Sequence, residues 1–164
     1  MTEPHDRAGN TADFTLRPIG VVRASPYRAQ GDAPRQGRSA PTVVTEIEVF
    51  ERYREGLGTL DGISHIHVLL WFDRANRDSL IAHPPHRGGE ARPVFCTRSP
   101  SRPNPIGLNL AEVLSLRDGV ITVAGMDAFE ETPVLDIKPY VPSIDCIPDA
   151  RDILSERPAP ATGQ

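Results

Sequence analysis

Lysine is almost missing from this chain: Lys138 is the only one among 18 basic residues in a length of 164. Arginine supplies the rest, and arginine suits planar, two-pronged contact to carboxylate or phosphate. The formal net charge is −4. That removes the general cationic excess by which nucleic-acid binders are usually recognised, so contact with a polyanion has to rest on a local patch. Arg87, Arg92, Arg98 and Arg102 supply one within a short stretch. Cysteine is scarce too. Cys96 and Cys146 stand alone with no CxxC spacing, which points to reduced thiols in a cytoplasmic protein rather than a disulfide framework. No apolar run approaches the length of a membrane span, and nothing resembles a signal peptide. Aromatic residues make up 5% of the chain.

Proline, in contrast, is abundant at 17 residues. Each one removes a backbone donor and clashes with the preceding helical turn, which argues against long helices. Hydrophobic residues reach 38% and charged residues 24%, the balance of a globular domain. The length suits one domain with a real core. Residues 1–13 are expected to form a disordered tail and 158–164, PAPATGQ, a second. Residues 14–157 then form the domain. No internal repeat is present.

Between the tails the dominant period is two. FTLRPIGVVRAS reads as a strand interrupted by Pro18. In VVTEIEVF, Val43, Thr45, Ile47 and Val49 share one face and Glu46 and Glu48 the other. IHVLLWFD is apolar on both faces, as a central strand is. NLAEVLSL and VITVAGM flank Arg117-Asp118-Gly119, a hairpin signal because Asp-Gly tolerates positive φ. PVLDIKPY is a last strand. Helical pattern is confined to ERYREGL at 51–57, to 78–82, and to PDARDIL at 148–154. Six or seven short strands with few helices predict a mainly β fold, a single closed barrel or a sandwich. A doubly wound α/β sheet needs helical crossovers that these short, proline-rich gaps do not supply.

One stretch stands out. CTRSPSRPNPIG, residues 96–107, packs three prolines, two arginines and two serines between apolar runs. Proline fixes φ and restricts the residue before it. A loop stiffened in this way holds its polar groups in place at little entropic cost on binding. A rigid turn with solubilising arginines is the simpler reading of the same residues.

The extended motif VFCTRSPSRPNPIGLNLAEV resembles the signature of the TsaA-like (TrmO-type) family of S-adenosylmethionine-dependent tRNA methyltransferases. RPIGVVRASPY, APRQG, DGISHIHVL, PPHRGG and TPVLDIKPYVP extend the resemblance over about residues 17–145, in the family's order. It implies a mainly β-barrel fold, agreeing with the periodicity above. It also implies a homodimer that holds S-adenosyl-L-methionine near the subunit interface. The acceptor it implies is N6 of the threonylcarbamoyl-modified adenosine beside the tRNA anticodon. The chain accordingly has no GxGxxG loop after a strand.

Carried over position by position, the resemblance makes Pro34, Arg35, Gln36 and Gly37 donor-binding candidates, with Phe72, Asp73 and Arg74 at the end of the central strand. Many relatives have His-Gln where Asp73-Arg74 stands. Arg98 and Leu108 match donor-contacting positions of the signature. Asp127, Glu130, Glu131 and Thr132 fall in the loop that closes over the donor. The chemistry is compatible. Arg35 or Arg98 suits the donor carboxylate, while Asp127, Glu130 or Glu131 suits its ribose hydroxyls or ammonium. Methyl transfer needs alignment more than covalent chemistry. Asn104, between two prolines, is the catalytic candidate, its side-chain carbonyl accepting from the target amine. Asp136 and Lys138 share a strand face with Tyr140 and are expected to brace the site as a buried ion pair.

Many members of the family carry a further C-terminal domain after DIKPY, so a small-molecule or other RNA acceptor, or a non-catalytic donor-binding module, are the alternatives. His65 and His67 share one strand face, with His83 and His86 nearby, but no carboxylate has a recognisable ligand spacing. No metal and no membrane contact is expected.

Overall fold

A computed structural model describes residues 15–28, 32–34, 39–84 and 88–151. Both expected tails lie outside the described residues. Along the chain run β1 (Gly20–Ala24), β2 (Val44–Val49), β3 (His65–Trp71), β4 (Ile81–Ala82), β5 (Arg92–Pro93), β6 (Ile106–Arg117), β7 (Val120–Ala124), β8 (Pro133–Pro139) and the short helix α1 (Pro142–Asp145). Six strands close into a barrel in the order β1-β2-β7-β6-β3-β8, and β4 and β5 form a separate ribbon.

Alternating burial turns these segments into a barrel wall. In β2, Thr45, Ile47 and Val49 point inward and the glutamates between them do not. In β3, Ile66, Val68 and Leu70 are fully buried, and each such side chain contributes about 1.5–3 kcal/mol by leaving water. The outward face of β3 is only half-buried, so the doubly apolar sequence marks a wall strand with one covered and one partly covered face. Asp118 and Gly119 turn β6 into β7 at φ 52° and 78°, the paired positive φ of a type I′ hairpin.

Two helical expectations fail. At residues 78–82 the chain makes no helix. Ile81 pairs with Pro93 and Ala82 with Arg92, so a ribbon takes up backbone groups that a helix this short would leave largely unpaired. The last helix comes earlier than PDARDIL, with Pro142 at its first position and the Asp145 carboxylate accepting from the Val141 N–H at 2.7 Å. Residues 148–151 are not helical, and the rest of that stretch lies outside the described residues. ERYREGL forms a 3-10 helix over Glu51–Leu57. Among the described residues no helix is long and apolar enough to cross a membrane.

The antiparallel registers run all six barrel strands alternately up and down. The β1–β2, β3–β6 and β7–β8 connections therefore emerge at the same rim. The opposite rim carries the tight hairpin and the 3-10 helix. The seam between β1 and β8 is short, Gly20 facing Val134 and Val21 facing Pro133. Gly20 has no room to spare: a Cβ there would strike the Glu48 carbonyl oxygen and crowd Val49 Cα at 3.2 Å. Those are backbone atoms held in the β1–β2 ladder and cannot rotate aside. Gly20→Ala should therefore lower stability by about 1–3 kcal/mol, read as a drop in the urea midpoint. An unchanged midpoint would contradict the register.

Candidate active site at one rim of the barrel

The long connection from β3 to β6 carries the proline-rich loop, and arginines tie it down from within. Arg98 Nη2 donates to the Leu108 carbonyl at 3.0 Å. Arg77 Nε donates to the Pro103 carbonyl at 3.3 Å, with its guanidinium 5.4 Å from the Trp71 ring centre. Arg102 Nη2 donates to the carbonyls of Val94 at 2.8 Å and Thr97 at 2.7 Å. At the far end, the Phe72 N–H bonds the Pro105 carbonyl at 2.9 Å and the Ile106 N–H the Asn104 carbonyl at 2.8 Å. Asn104 is thereby held exposed between two prolines, and its side chain has no hydrogen-bond partner among the described residues.

The arginine patch expected from the sequence is largely not a patch. Arg92 pairs with Glu90 at 2.7 Å and is mostly covered. Arg102 faces inward, and Arg87 lies outside the described residues. Among the described residues, Arg28, Arg74, Arg77 and Arg98 are exposed guanidiniums of this rim.

The β7–β8 loop meets the end of β1. The Ser25 hydroxyl donates to the Ala128 carbonyl at 2.7 Å and accepts from the Tyr27 N–H at 3.2 Å. Glu130 N–H bonds the Tyr27 carbonyl at 3.3 Å, Glu131 N–H the Val22 carbonyl at 2.7 Å, and Val22 N–H the Thr132 carbonyl at 3.0 Å. Glu131 adopts φ 67°, a left-handed conformation that a side-chain-bearing residue keeps only where its surroundings impose it. Glu130 pairs with Arg28, and its carbonyl accepts from Arg74 Nη2 at 3.2 Å. The end of β3 and the β7–β8 loop are thus directly joined. Asp127 is half-buried, Glu131 exposed and Thr132 buried.

Of the residues singled out from sequence, Phe72, Arg74, Arg98, Asn104, Leu108, Glu130 and Glu131 gather at this rim. Arg98 and Leu108, ten residues apart, are joined by a hydrogen bond. Phe72 instead packs its ring on the core and beneath Gly107, where a Cβ would collide with it. Asp73 is exposed. Pro34 belongs to the β1–β2 connection, which also starts and ends at this rim. Arg35, Gln36 and Gly37 lie outside the described residues. Sequence reasoning missed Ser25, Arg28 and Arg77. Their partners are remote in the chain, 103 residues away for Ser25, so no local pattern marks them.

The expected buried ion pair is not buried. Lys138 Nζ and Asp136 Oδ2 lie 2.7 Å apart with side chains 63% and 44% exposed. Such a surface pair contributes at most about 1 kcal/mol. Tyr140 packs edge-on against His65 and His67, and His67 Nε2 lies 3.6 Å from the Asp145 carboxylate. Among the described residues no group of three or more His, Cys, Asp or Glu is arranged to hold a metal ion. Cys96 and Cys146 are both free and exposed.

These features define a closed-barrel protein whose site is assembled from connections at one rim, with arginines and carboxylates interleaved. Residues 22–146 match the tRNA-methyltransferase O N-terminal domain, and the chain belongs to that family. It is 50% identical over 132 residues to an S-adenosyl-L-methionine-binding protein of Archaeoglobus fulgidus, covering 80% of this chain and 93% of that protein. It is 37% identical over 148 residues to the tRNA (adenine(37)-N6)-methyltransferase of Escherichia coli, covering 85% of this chain and 63% of that enzyme. A crystal structure of TrmO from Pseudomonas aeruginosa superposes with a TM-score of 0.75 at 32% identity, covering 93% of this chain and 66% of that one.

Ser25→Ala removes a hydroxyl that ties the β7–β8 loop to the end of β1. It should cost about 1–3 kcal/mol, since the buried Ala128 carbonyl is left without that donor. Chemical denaturation measures it, and a change under a few tenths would show that the loop is held by other means.

Proposed function

We propose that this chain transfers the methyl group of S-adenosyl-L-methionine to N6 of the adenosine 3′ to the anticodon of tRNA, the base bearing the threonylcarbamoyl group. Membership of the tRNA-methyltransferase O family supports the reaction class. The observation that carries the assignment to this rim is the Arg98–Leu108 hydrogen bond, with Asn104 held rigid and exposed on the same loop.

The residues present suit the donor. Arg98 has spent one nitrogen on Leu108 and keeps N–H groups for a carboxylate. Glu131 offers an exposed carboxylate for an ammonium or ribose hydroxyls. Leu108, 50% exposed on the outward face of β6, offers apolar surface for an adenine. Pro34, Arg35, Gln36 and Gly37 complete the donor-binding set in this reading, with Asp73, Asp127 and Thr132 flanking it. Bound donor supplies a methyl group on a sulfonium, already activated for displacement.

What the chain must then supply is orientation, which by itself lowers such a barrier by several kcal/mol. The adenine amine is a weak nucleophile because its lone pair is delocalised into the ring. Asn104 accepts a hydrogen bond from the amine N–H and turns the lone pair toward the methyl. As the N–C bond forms and the S–C bond breaks, the surplus amine proton passes to solvent. The exposed guanidiniums of Arg74 and Arg77 serve the RNA phosphates, at a cytoplasmic site where tRNA is found, and fractionation of cells is the check on that location.

Incubation with labelled donor and total tRNA, followed by nucleoside analysis, tests the reading. It should show label in the modified adenosine. Asn104→Ala should lose turnover by two orders of magnitude or so while donor affinity by calorimetry stays within about threefold. Loss of donor affinity instead would move Asn104 out of the catalytic role. The Archaeoglobus relative is named only for binding the donor, which favours a second reading as a binding module. Donor bound with no label in any RNA fraction would support it.

The same reading makes the chain a homodimer. Ile106, Leu108 and Leu114 are 41%, 50% and 48% exposed on the outward face of β6, an apolar strip that a second copy would cover beside the donor site. Sedimentation should give twice 17.9 kDa, and Leu114→Glu should shift it to the monomer. A wild-type monomer at micromolar concentration would refute the dimer.

A further inference from the structure

Arg102 has the sequence setting of a phosphate-binding residue: a stiff loop, neighbouring serines and other arginines close by. Its geometry is the reverse. Nη2 spans the Val94 and Thr97 carbonyls at 2.8 and 2.7 Å, and Nε is buried with no partner among the described residues. A guanidinium waiting for a phosphate would keep Nε and both terminal nitrogens in water.

The oxygen it grips is a junction. The Val94 carbonyl also accepts the Thr97 N–H at 3.0 Å and the Thr97 hydroxyl at 2.8 Å, and that hydroxyl in turn accepts the Ser99 N–H at 3.3 Å. Val94 itself is 1% exposed, and its N–H is tied to the Leu80 carbonyl at 2.9 Å. Arg102 thus fastens the middle of the proline-rich loop to a buried anchor. Arg98 lies immediately after one fastened residue, and Asn104 lies two residues beyond the fastener.

We infer that Arg102 is a positioning residue that fixes the separation between the donor-side Arg98 and the acceptor-side Asn104, and that it touches neither substrate. This rests on the reading of the rim as a methyl-transfer site. A shift of about 1 Å between aligned reacting groups can cost 10²-fold in rate, so a cation that sets this distance acts on turnover without any contact to the reacting atoms.

The test compares Arg102→Met and Arg102→Lys with the wild type. Arg102→Met should speed hydrogen exchange of the Thr97 and Ser99 amides at least tenfold. It should lower kcat about 10²-fold, leaving KM for tRNA within threefold and the salt dependence of tRNA binding unchanged. Arg102→Lys keeps a cation able to reach the two carbonyls and should recover most of kcat. Measurement well below the unfolding transition separates these effects from lost stability, and Arg102→Lys carries the same readouts where Arg102→Met does not fold. Unchanged amide exchange would overturn the inference. So would an unchanged kcat with a salt slope reduced by about one, the mark of a lost phosphate contact. If the wild type methylates no RNA, the functional reading fails. Exchange at residues 94–106 and donor affinity then still decide whether Arg102 fastens the loop.

Discussion

The seam where β8 returns to β1 is the constraint on which the other features depend. A sheet of six strands leaves two rows of unpaired backbone groups unless it closes. Here closure rests on two residue pairs, extended past the strand ends by the bonds of Glu130, Glu131 and Thr132 to Tyr27 and Val22. The ladder that shuts the barrel therefore continues as the ladder that shapes the β7–β8 loop. Glu131 has positive φ inside the turn that the Thr132 N–H closes on the Phe129 carbonyl, just before β8 begins. Stability of the fold and shape of the site are in this sense one set of hydrogen bonds.

A second consequence concerns the arginines. Prolines such as Pro100, Pro103 and Pro105 stiffen the connections locally, but proline contributes no donor, and loops of this length have many carbonyls to satisfy. Arg77, Arg98 and Arg102 supply donors inward, to Pro103, Leu108, Val94 and Thr97. One arginine can serve two carbonyls, as Arg102 does, or one carbonyl while lying over an aromatic ring, as Arg77 does on Trp71. The near-absence of lysine is consistent with this use, since a guanidinium carries more N–H donors than an ammonium.

The barrel wall was largely legible before folding. Alternation in VVTEIEVF and the Asp118-Gly119 turn are local properties, and both survive in β2 and the β6–β7 hairpin. The short helices were less legible, since at four to seven residues tertiary contacts outweigh propensity. Residues 78–82 became a ribbon because Leu80, Ile81 and Ala82 found partners in residues 92–94. At the candidate site, the motif named Arg98, Leu108 and Glu130, and the fold brings them to one rim. Ser25 and Arg28 were not, because what makes them matter is a loop more than a hundred positions away. Asp136 and Lys138 were read as buried because spacing tells which residues share a face, not whether that face is covered.

The amino-acid order by itself determined the period-two strands, the hairpin turn and the stiffness of the loop at 96–107, because each follows from steric and dihedral preferences acting over a few residues. Only the folded chain decided that three distant connections share one rim, that the barrel closes through a seam continuous with a site loop, and which arginines face water. Those outcomes depend on strand register and on which carbonyls are left without partners once the sheet has closed, and neither quantity exists until all six strands are in place.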